Sequence, residues 1–210
     1  MAATVECPRC KSPVDAHDDG AVDCAVHGRV VPLRRAGEVG YDDFAELVRH
    51  AGSMPTYLPW PMSPGWTIAD FGHVGRPPSA EATFTTTVGT SDLDGPVEVT
   101  VVSEDPGVGL GARVAGVRGV DPGHQAARGP QSIRVRAGGR SVPLWMVECE
   151  DGEVLERAVF AGEADGRWLW VVVRPASAAL LLRDEWLLAD VTSFGPGALE
   201  MPFGGPRPGW

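Results

Sequence analysis

The chain has 210 residues, with 28 acidic and 18 basic side chains and a formal net charge of −10. This length allows one domain of ordinary size with a small additional unit. An acidic chain offers no cationic surface for phosphate backbones, so direct nucleic-acid binding is not expected.

The first element is a cysteine-rich segment, CPRCKSPVDAHDDGAVDCAVHG, which holds three of the four cysteines. Cys7-x2-Cys10 and Cys24-x2-His27 are two pairs with the two-residue gap that lets one turn present both side chains to one metal ion. We therefore predict a zinc-ribbon head over residues 1–37, with these four residues as the ligands of a Zn²⁺ ion. Because four protein ligands close a tetrahedral site, the zinc is expected to be structural.

Alternatives for this segment remain open. His17 lies in DAHDDG, which is typical of a loop tip, and is the alternative fourth ligand; the spacing favours His27. A redox Cys-x-x-Cys pair is expected between a strand and a helix, and neither is evident here. Disulfides would leave an odd thiol. The only lysine, Lys11, lies inside the cluster, which excludes a Walker A loop, a protein kinase and a pyridoxal enzyme.

After the connector RRAGEVG, the sequence predicts one helix from Tyr41 to Gly52. Tyr41, Phe44, Leu47 and Val48 fall near one helical face, and Gly52 is a suitable C-terminal stop. The helix is the clearest in the chain.

The segment MPTYLPWPMSPGW follows, and its four prolines exclude a regular helix or an interior strand. Trp60 and Trp66 in this segment have two interpretations. They can form an aromatic recognition edge, or they can fill the core of the domain beneath a covering strap. The second is favoured because tryptophans are mostly buried.

Residues 38–192 are predicted to form an α+β domain that is mainly an antiparallel β-meander with one or two short helices. Six segments rich in β-branched and aromatic residues read as strands, and three dipeptides suit two-residue hairpins: Gly138-Gly139, Asp151-Gly152 and Asp165-Gly166. Ala178 to Leu182 is a candidate cover for the sheet or a further strand. The Gly/Pro-rich residues 193–210 are expected to be disordered.

The segment DPGVGLGARVAG follows a predicted strand and invites comparison with a phosphate-binding loop. Ala112 stands where the third glycine of G-x-G-x-x-G belongs, and no alternating β-α pattern surrounds it, so a turn or short helix is favoured. Gly109, Gly111 and Arg113 are nevertheless retained as candidate ligand-binding residues.

Little else in the chain points to catalysis. His50, His73 and His124 are scattered over different segments, Cys149 has no identifiable histidine partner, and no G-x-S-x-G or H-E-x-x-H motif is present. No catalytic residue is predicted.

Several pieces in order resemble a family of uncharacterised actinobacterial proteins of about this size. They are C-P-x-C, C-x-x-H-G, P-W-P-x-x-P-G-W, P-G-V-G-L-G-A-R, R-A-V-F-x-G-E-A and G-R-W-L-W, and they cover residues 7–192. The resemblance implies a zinc-ribbon head and no established activity. Some members carry an automatic phosphotransacetylase label, a chemistry that these residues do not support.

The sequence thus predicts a non-catalytic binding or scaffold protein with an unidentified protein partner. The start of the chain lacks the basic and apolar regions of a secretory signal, and the apolar run WLWVVV is far shorter than the roughly 20 residues of a membrane span, so a cytoplasmic location without membrane contact is expected. The alternative is an enzyme or small-ligand binder that uses the Gly107–Arg113 loop for an acyl or phosphorylated metabolite. The sequence makes no prediction of the oligomeric state.

Overall fold

The computed structural model describes residues 4–123, 130–149, 156–184, 186–194 and 200–210. In chain order its elements are β1 (Thr4–Glu6), β2 (Val14–Ala16), β3 (Val22–Cys24), β4 (Gly28–Val30), β5 (Leu33–Arg35), α1 (Tyr41–Ala51), β6 (Tyr57–Pro59), β7 (Thr67–Arg76), β8 (Ser79–Ser91), β9 (Gly95–Glu104), α2 (Leu110–Ala115), β10 (Ile133–Ala137), β11 (Arg140–Met146), β12 (Ala158–Ala164), β13 (Arg167–Arg174), a 3-10 helix (Ala176–Asp184), β14 (Leu187–Asp190) and a short 3-10 helix (Val191–Ser193).

Eleven of these strands form one sheet in the order β1-β5-β7-β8-β9-β13-β12-β11-β10-β14-β6. Strands β7 to β9 and strands β10 to β13 are two antiparallel meanders, and they join where β9 pairs with β13. Among the named strands of the described residues one pair is parallel, β10 with β14, and an isolated parallel bridge joins Ile68 to Phe203. The predicted α+β class with a mainly antiparallel sheet is confirmed.

Both faces of the central strands are covered. On β13, Leu169 and Val171 belong to one apolar cluster, whereas Trp170 and Val172 belong to another on the opposite face. This explains why the strand is a continuous apolar run instead of alternating with polar residues. Helix α2 covers the second face, and the 3-10 helix at 176–184 covers the first through Ala178.

Helix α1 begins and ends as the sequence predicts. Its apolar residues Phe44 and Leu47 are buried, and Phe44 meets Phe71 of β7 edge to face with ring centroids 5.0 Å apart. The C-terminal Gly52 has φ 61°, a conformation that glycine adopts without strain. Tyr41 is 39% exposed and lies outside the packed face.

Two of the three predicted hairpins are present. Ala137 pairs with Arg140 around Gly138-Gly139, and Ala164 pairs with Arg167 around Asp165-Gly166. The third predicted turn, Asp151-Gly152, lies outside the described residues, as does His124.

The end of the chain differs from its prediction of disorder. In the described part, residues 200–210, Met201 and Trp210 are 5% and 7% exposed, and the Trp210 ring packs 4.9 Å from that of Phe84. The Thr67 hydroxyl also donates to the Gly204 carbonyl at 2.8 Å. The segment is held because its few apolar side chains find sites on the body, which composition alone does not reveal.

The predicted metal-binding head contains a three-stranded sheet, β2-β3-β4, between two strands that belong to the large sheet. Strands β1 and β5 pair with each other, with Glu6 opposite Leu33, and β5 continues onto β7. The predicted boundary at residue 37 therefore falls after a strand of the body. A bilayer span would require a longer and more apolar helix than any found in the described ranges.

Candidate metal centre

Two turns bring the four predicted ligands together. Cys7 and Cys10 follow directly after β1, whereas Cys24 ends β3 and His27 precedes β4. Cys24 and Gly28 are opposite each other across the β3–β4 hairpin, and Gly28 has φ 65°. This backbone conformation, which favours glycine, closes the second turn.

The ligand atoms have the spacing of a tetrahedral site. Cys7 Sγ is 3.5 Å from His27 Nδ1, Cys10 Sγ is 3.5 Å from Cys24 Sγ, and Cys24 Sγ is 3.7 Å from His27 Nδ1. All four atoms lie within 4.8 Å of one another. With metal bonds of about 2.3 Å to sulfur and about 2.0 Å to nitrogen, the corners of a tetrahedron are about 3.5 to 3.8 Å apart. The four residues could therefore hold one metal ion.

The cysteines are not paired with one another. Cys7, Cys10, Cys24 and Cys149 are free thiols, and the 3.5 Å between the Cys10 and Cys24 sulfurs is far longer than a disulfide bond of about 2.05 Å. Cys149 lies elsewhere, with its sulfur 4.0 Å from the Ala115 carbonyl oxygen.

Main-chain N–H groups surround the sulfurs. Burial raises the pKa of the Cys7 thiol to about 11, while the Arg9 N–H, 3.4 Å from the sulfur, acts in the opposite direction. Burial also opposes ionisation of Cys24, but the N–H groups of Val26 and His27 lower its pKa below the ordinary value. Such N–H groups stabilise the thiolate, which is the form that binds a metal ion.

His17, the alternative fourth ligand, lies away from the cluster. Its Nε2 is 2.7 Å from an Asp23 carboxylate oxygen in the β2–β3 hairpin. The group of four that the structure brings together contains His27 instead.

The Gly107–Arg113 loop holds the metal-binding head. Arg113 donates to the main-chain carbonyl of Cys7 and pairs with the Glu6 carboxylate. In the other direction, Arg9 donates from Nε to the Val108 carbonyl at 3.0 Å and from a terminal nitrogen to the Gly107 carbonyl at 2.7 Å. Head and body are thus joined by reciprocal arginine contacts.

The amides at the start of α2 are bonded to a carboxylate of the chain itself. Glu104 accepts from the N–H groups of Leu110 at 2.8 Å and Gly111 at 3.2 Å, and from Trp170 Nε1 at 2.7 Å. Burial raises the pKa of Glu104 to about 7, although these donors act in the opposite direction. A Cβ atom at Gly111 would lie 2.1 Å from Trp170 Nε1, so the glycine is needed for packing.

Trp60 and Trp66 of the proline-rich segment pack in different apolar clusters. Trp66 is 8% exposed and packs on Gly89, where a Cβ atom would lie 2.4 Å from the indole. Trp60 is partly buried, with its ring 4.9 Å from that of Phe194. Both residues line a cavity of about 310 Å³.

A second group of polar residues was missed by the sequence analysis. The rings of His50 and His73, which are distant in sequence, have their centroids 5.5 Å apart. Arg34 of β5 is the residue directly opposite His73 of β7 in the sheet. Only the strand register brings these residues together, so no local motif could have revealed them. The buried Glu104 could have been singled out from the sequence, because it is an acidic residue at the end of the apolar strand VEVTVVSE.

The fold and this site define a class: a mainly antiparallel α+β protein that carries a Cys3His cluster suited to a zinc-binding head. More particularly, the chain belongs to a family of unknown function, DUF6758, whose profile matches residues 1–209. No curated protein and no solved structure shows significant similarity to it.

Proposed function

We propose that this protein is a non-catalytic binding or scaffold protein of the cytoplasm, and that Cys7, Cys10, Cys24 and His27 hold a structural Zn²⁺ ion. The types of ligand indicate which metal binds, because three thiolates and one imidazole in a tetrahedron suit zinc. In a reducing compartment the free thiols remain available as ligands.

The single observation that carries a structural role is the closure of the site. Three of the distances between the four protein atoms are 3.5 to 3.7 Å, and all four atoms lie within 4.8 Å of one another, so they could occupy the corners of one tetrahedron around an ion. Catalytic zinc sites keep a coordination position for water or substrate, and four protein ligands leave none. The ion would therefore fix the shape of the head.

The surroundings of the loop at Gly107–Arg113 support binding over catalysis. Its amides at Leu110 and Gly111 are bonded to Glu104, and Arg113 is engaged by Glu6 and Cys7. A metabolite would have to displace these partners. The formal charge of −10 also favours a protein partner over nucleic acid.

Metal content tests the first half of the proposal. Native mass spectrometry of the full chain, purified without chelator, should show one zinc ion per chain. Cys24→Ser should lose it, whereas Cys149→Ser, a thiol outside the cluster, should retain it. A parent protein that binds no zinc, or binds it equally well as Cys24→Ser, would refute the zinc site.

Partner capture tests the second half. The full chain, the Cys24→Ser variant and the Cys149→Ser variant are used as baits in the same native lysate. We expect at least one protein to be enriched by the parent and by Cys149→Ser and to be lost with Cys24→Ser. Identical captured sets for all three baits would contradict a role of the head in binding.

A further inference from the structure

A cavity of about 370 Å³ lies between helix α1 and strands β5 and β7. Arg34 and His73 line its strand side, and His50, Glu46 and Asp43 line its helix side. At about 30 Å³ per water molecule, it has room for about a dozen water-sized groups. This volume is within the range of small-molecule sites.

Two side-chain nitrogens at this cavity have no partner. Arg34 Nε and His73 Nε2 are buried and make no hydrogen bond within the described ranges. His73 as a whole is only 6% exposed. Buried polar groups in proteins are nearly always hydrogen-bonded. Arg34 and His73 are opposite each other in the sheet, so one bound acceptor could serve both nitrogens.

The neighbouring Arg35 already has partners within the protein. Arg35 is buried and pairs with Asp70, and it also reaches the Pro208 carbonyl at 3.5 Å. Arg34, by contrast, has no ion pair among the described residues. Its guanidinium keeps its charge at any physiological pH, so the strand side of the cavity carries one uncompensated positive charge.

We propose that this cavity binds a small oxyanion, a carboxylate or a phosphate ester, whose oxygens accept from Arg34 and His73. The carboxylates on the helix side refine the ligand class. Asp43 accepts from the Glu38 N–H at 3.3 Å, and Glu46 lies 4.0 Å from His50 Nδ1 at the exposed rim. An all-anionic ligand would be repelled there, so the ligand should carry a hydroxyl or amino donor at its other end.

A metal ion fits this cavity less well. Glu46, His50 and His73 are ligand types, but a cation would face the charge of Arg34 and would leave Arg34 Nε without an acceptor. An oxyanion satisfies both orphan nitrogens.

The test uses the full zinc-loaded chain labelled with ¹⁵N. Glycerol 3-phosphate, a phosphate ester with hydroxyls at its other end, and 3-hydroxybutyrate, a carboxylate with a hydroxyl, are titrated separately while the ring signals of His50 and His73 are followed. At least one probe should give saturable shifts of both rings, and the better probe identifies the oxyanion. If neither probe shifts them, or if nickel ions shift them where both anions fail, the proposal is overturned.

Variants locate the binding. Arg34→Gln should raise the Kd of the better probe about tenfold or more, the cost of losing a charged hydrogen-bond donor. Arg49→Gln removes the same charge from an exposed position on α1 and should leave the Kd within about twofold, since it loses no such donor. If Arg34→Gln does not fold, Arg34→Lys and His73→Asn take its place, and each should weaken binding. Equal affinities for the parent and a folded cavity variant would overturn the proposal.

Discussion

The guanidinium of Arg113 donates to the main-chain carbonyl of Cys7, so a side chain of the body holds a residue of the metal centre. Arg113 is also stacked near Trp210, with 5.4 Å between the guanidinium carbon and the ring centroid. Three distant parts of the chain therefore meet at one arginine.

Replacing Arg113 should destabilise the protein strongly. The Arg113 side chain is 4% exposed and its partner Glu6 is 28% exposed. Arg113→Met would leave the Cys7 carbonyl without this donor and the largely buried Glu6 carboxylate with the longer contact to Arg35 at 3.8 Å, and should lower the free energy of unfolding by about 3 kcal/mol. Urea denaturation measures this. Arg140→Met, which breaks the exposed pair with Asp165, is the matched control and should cost about 1 kcal/mol or less.

Metal removal should unfold the head and leave the body folded. The head has too few residues for its own apolar core, and structural zinc supplies about 10 to 16 kcal/mol of apparent binding energy in small modules. Hydrogen exchange after treatment with a chelator should show lost protection in β2, β3 and β4. Strands β8, β9 and β13 should remain protected. Loss of protection throughout the sheet would show that the metal stabilises the whole protein.

The buried Glu104 should make stability fall as the pH rises. Its pKa is raised from 4.5 to about 7, so between these values the folded protein binds a proton that the unfolded chain has released. Rising pH then favours unfolding by up to about 3 kcal/mol. Denaturation measured across this range should show the contribution of Glu104 as the difference between the profile of the parent, or of the exposed control Glu163→Gln, and that of Glu104→Gln, whose amide cannot ionise.

His73 should have the opposite effect on stability. Burial, together with the nearby His50 and Arg34, lowers its pKa from 6.5 to about 4. Between these values the unfolded histidine binds more protons than the folded one, so stability should rise with pH over this window by up to about 3 kcal/mol. An NMR titration of the ring without added anions should show His73 neutral at pH 6, and a ring protonated there would contradict the prediction.

These two effects overlap between about pH 4.5 and 6.5 and act in opposite directions. The pH profile of the parent alone should therefore look nearly flat in this window, because the two slopes cancel. Subtracting the Glu104→Gln profile from that of the parent isolates the contribution of Glu104.

The elements fixed by local pattern were predictable. The α1 periodicity, the turns at Gly138-Gly139 and Asp165-Gly166, and the two metal-binding pairs all depend on residues close in sequence. Pairing between distant segments was not. Nothing local indicates that β9 lies beside β13, or that Arg34 faces His73, because many registers satisfy the same apolar pattern.

The glycines of DPGVGLGARVAG invite comparison with an anion loop, but the sequence favoured a turn or short helix, and helix α2 lies there. Gly111 is small because Trp170 lies against it, and the amides at the helix start are bonded to Glu104. Trp210 was unpredictable for a related reason. Its burial between Phe84 and Arg35, whose guanidinium carbon is 4.4 Å from the ring centroid, depends on surfaces made elsewhere in the chain.

Strands β1 and β5 pair with each other, with Glu6 opposite Leu33, at the two ends of the metal-binding segment. A chain that loses its ion would keep both ends of this segment tethered to the sheet edge. Recapturing the ion then requires the closure of a short loop, not a new search by a free polypeptide. Loss and rebinding of the ion would then be a local and reversible event that leaves the rest of the protein assembled.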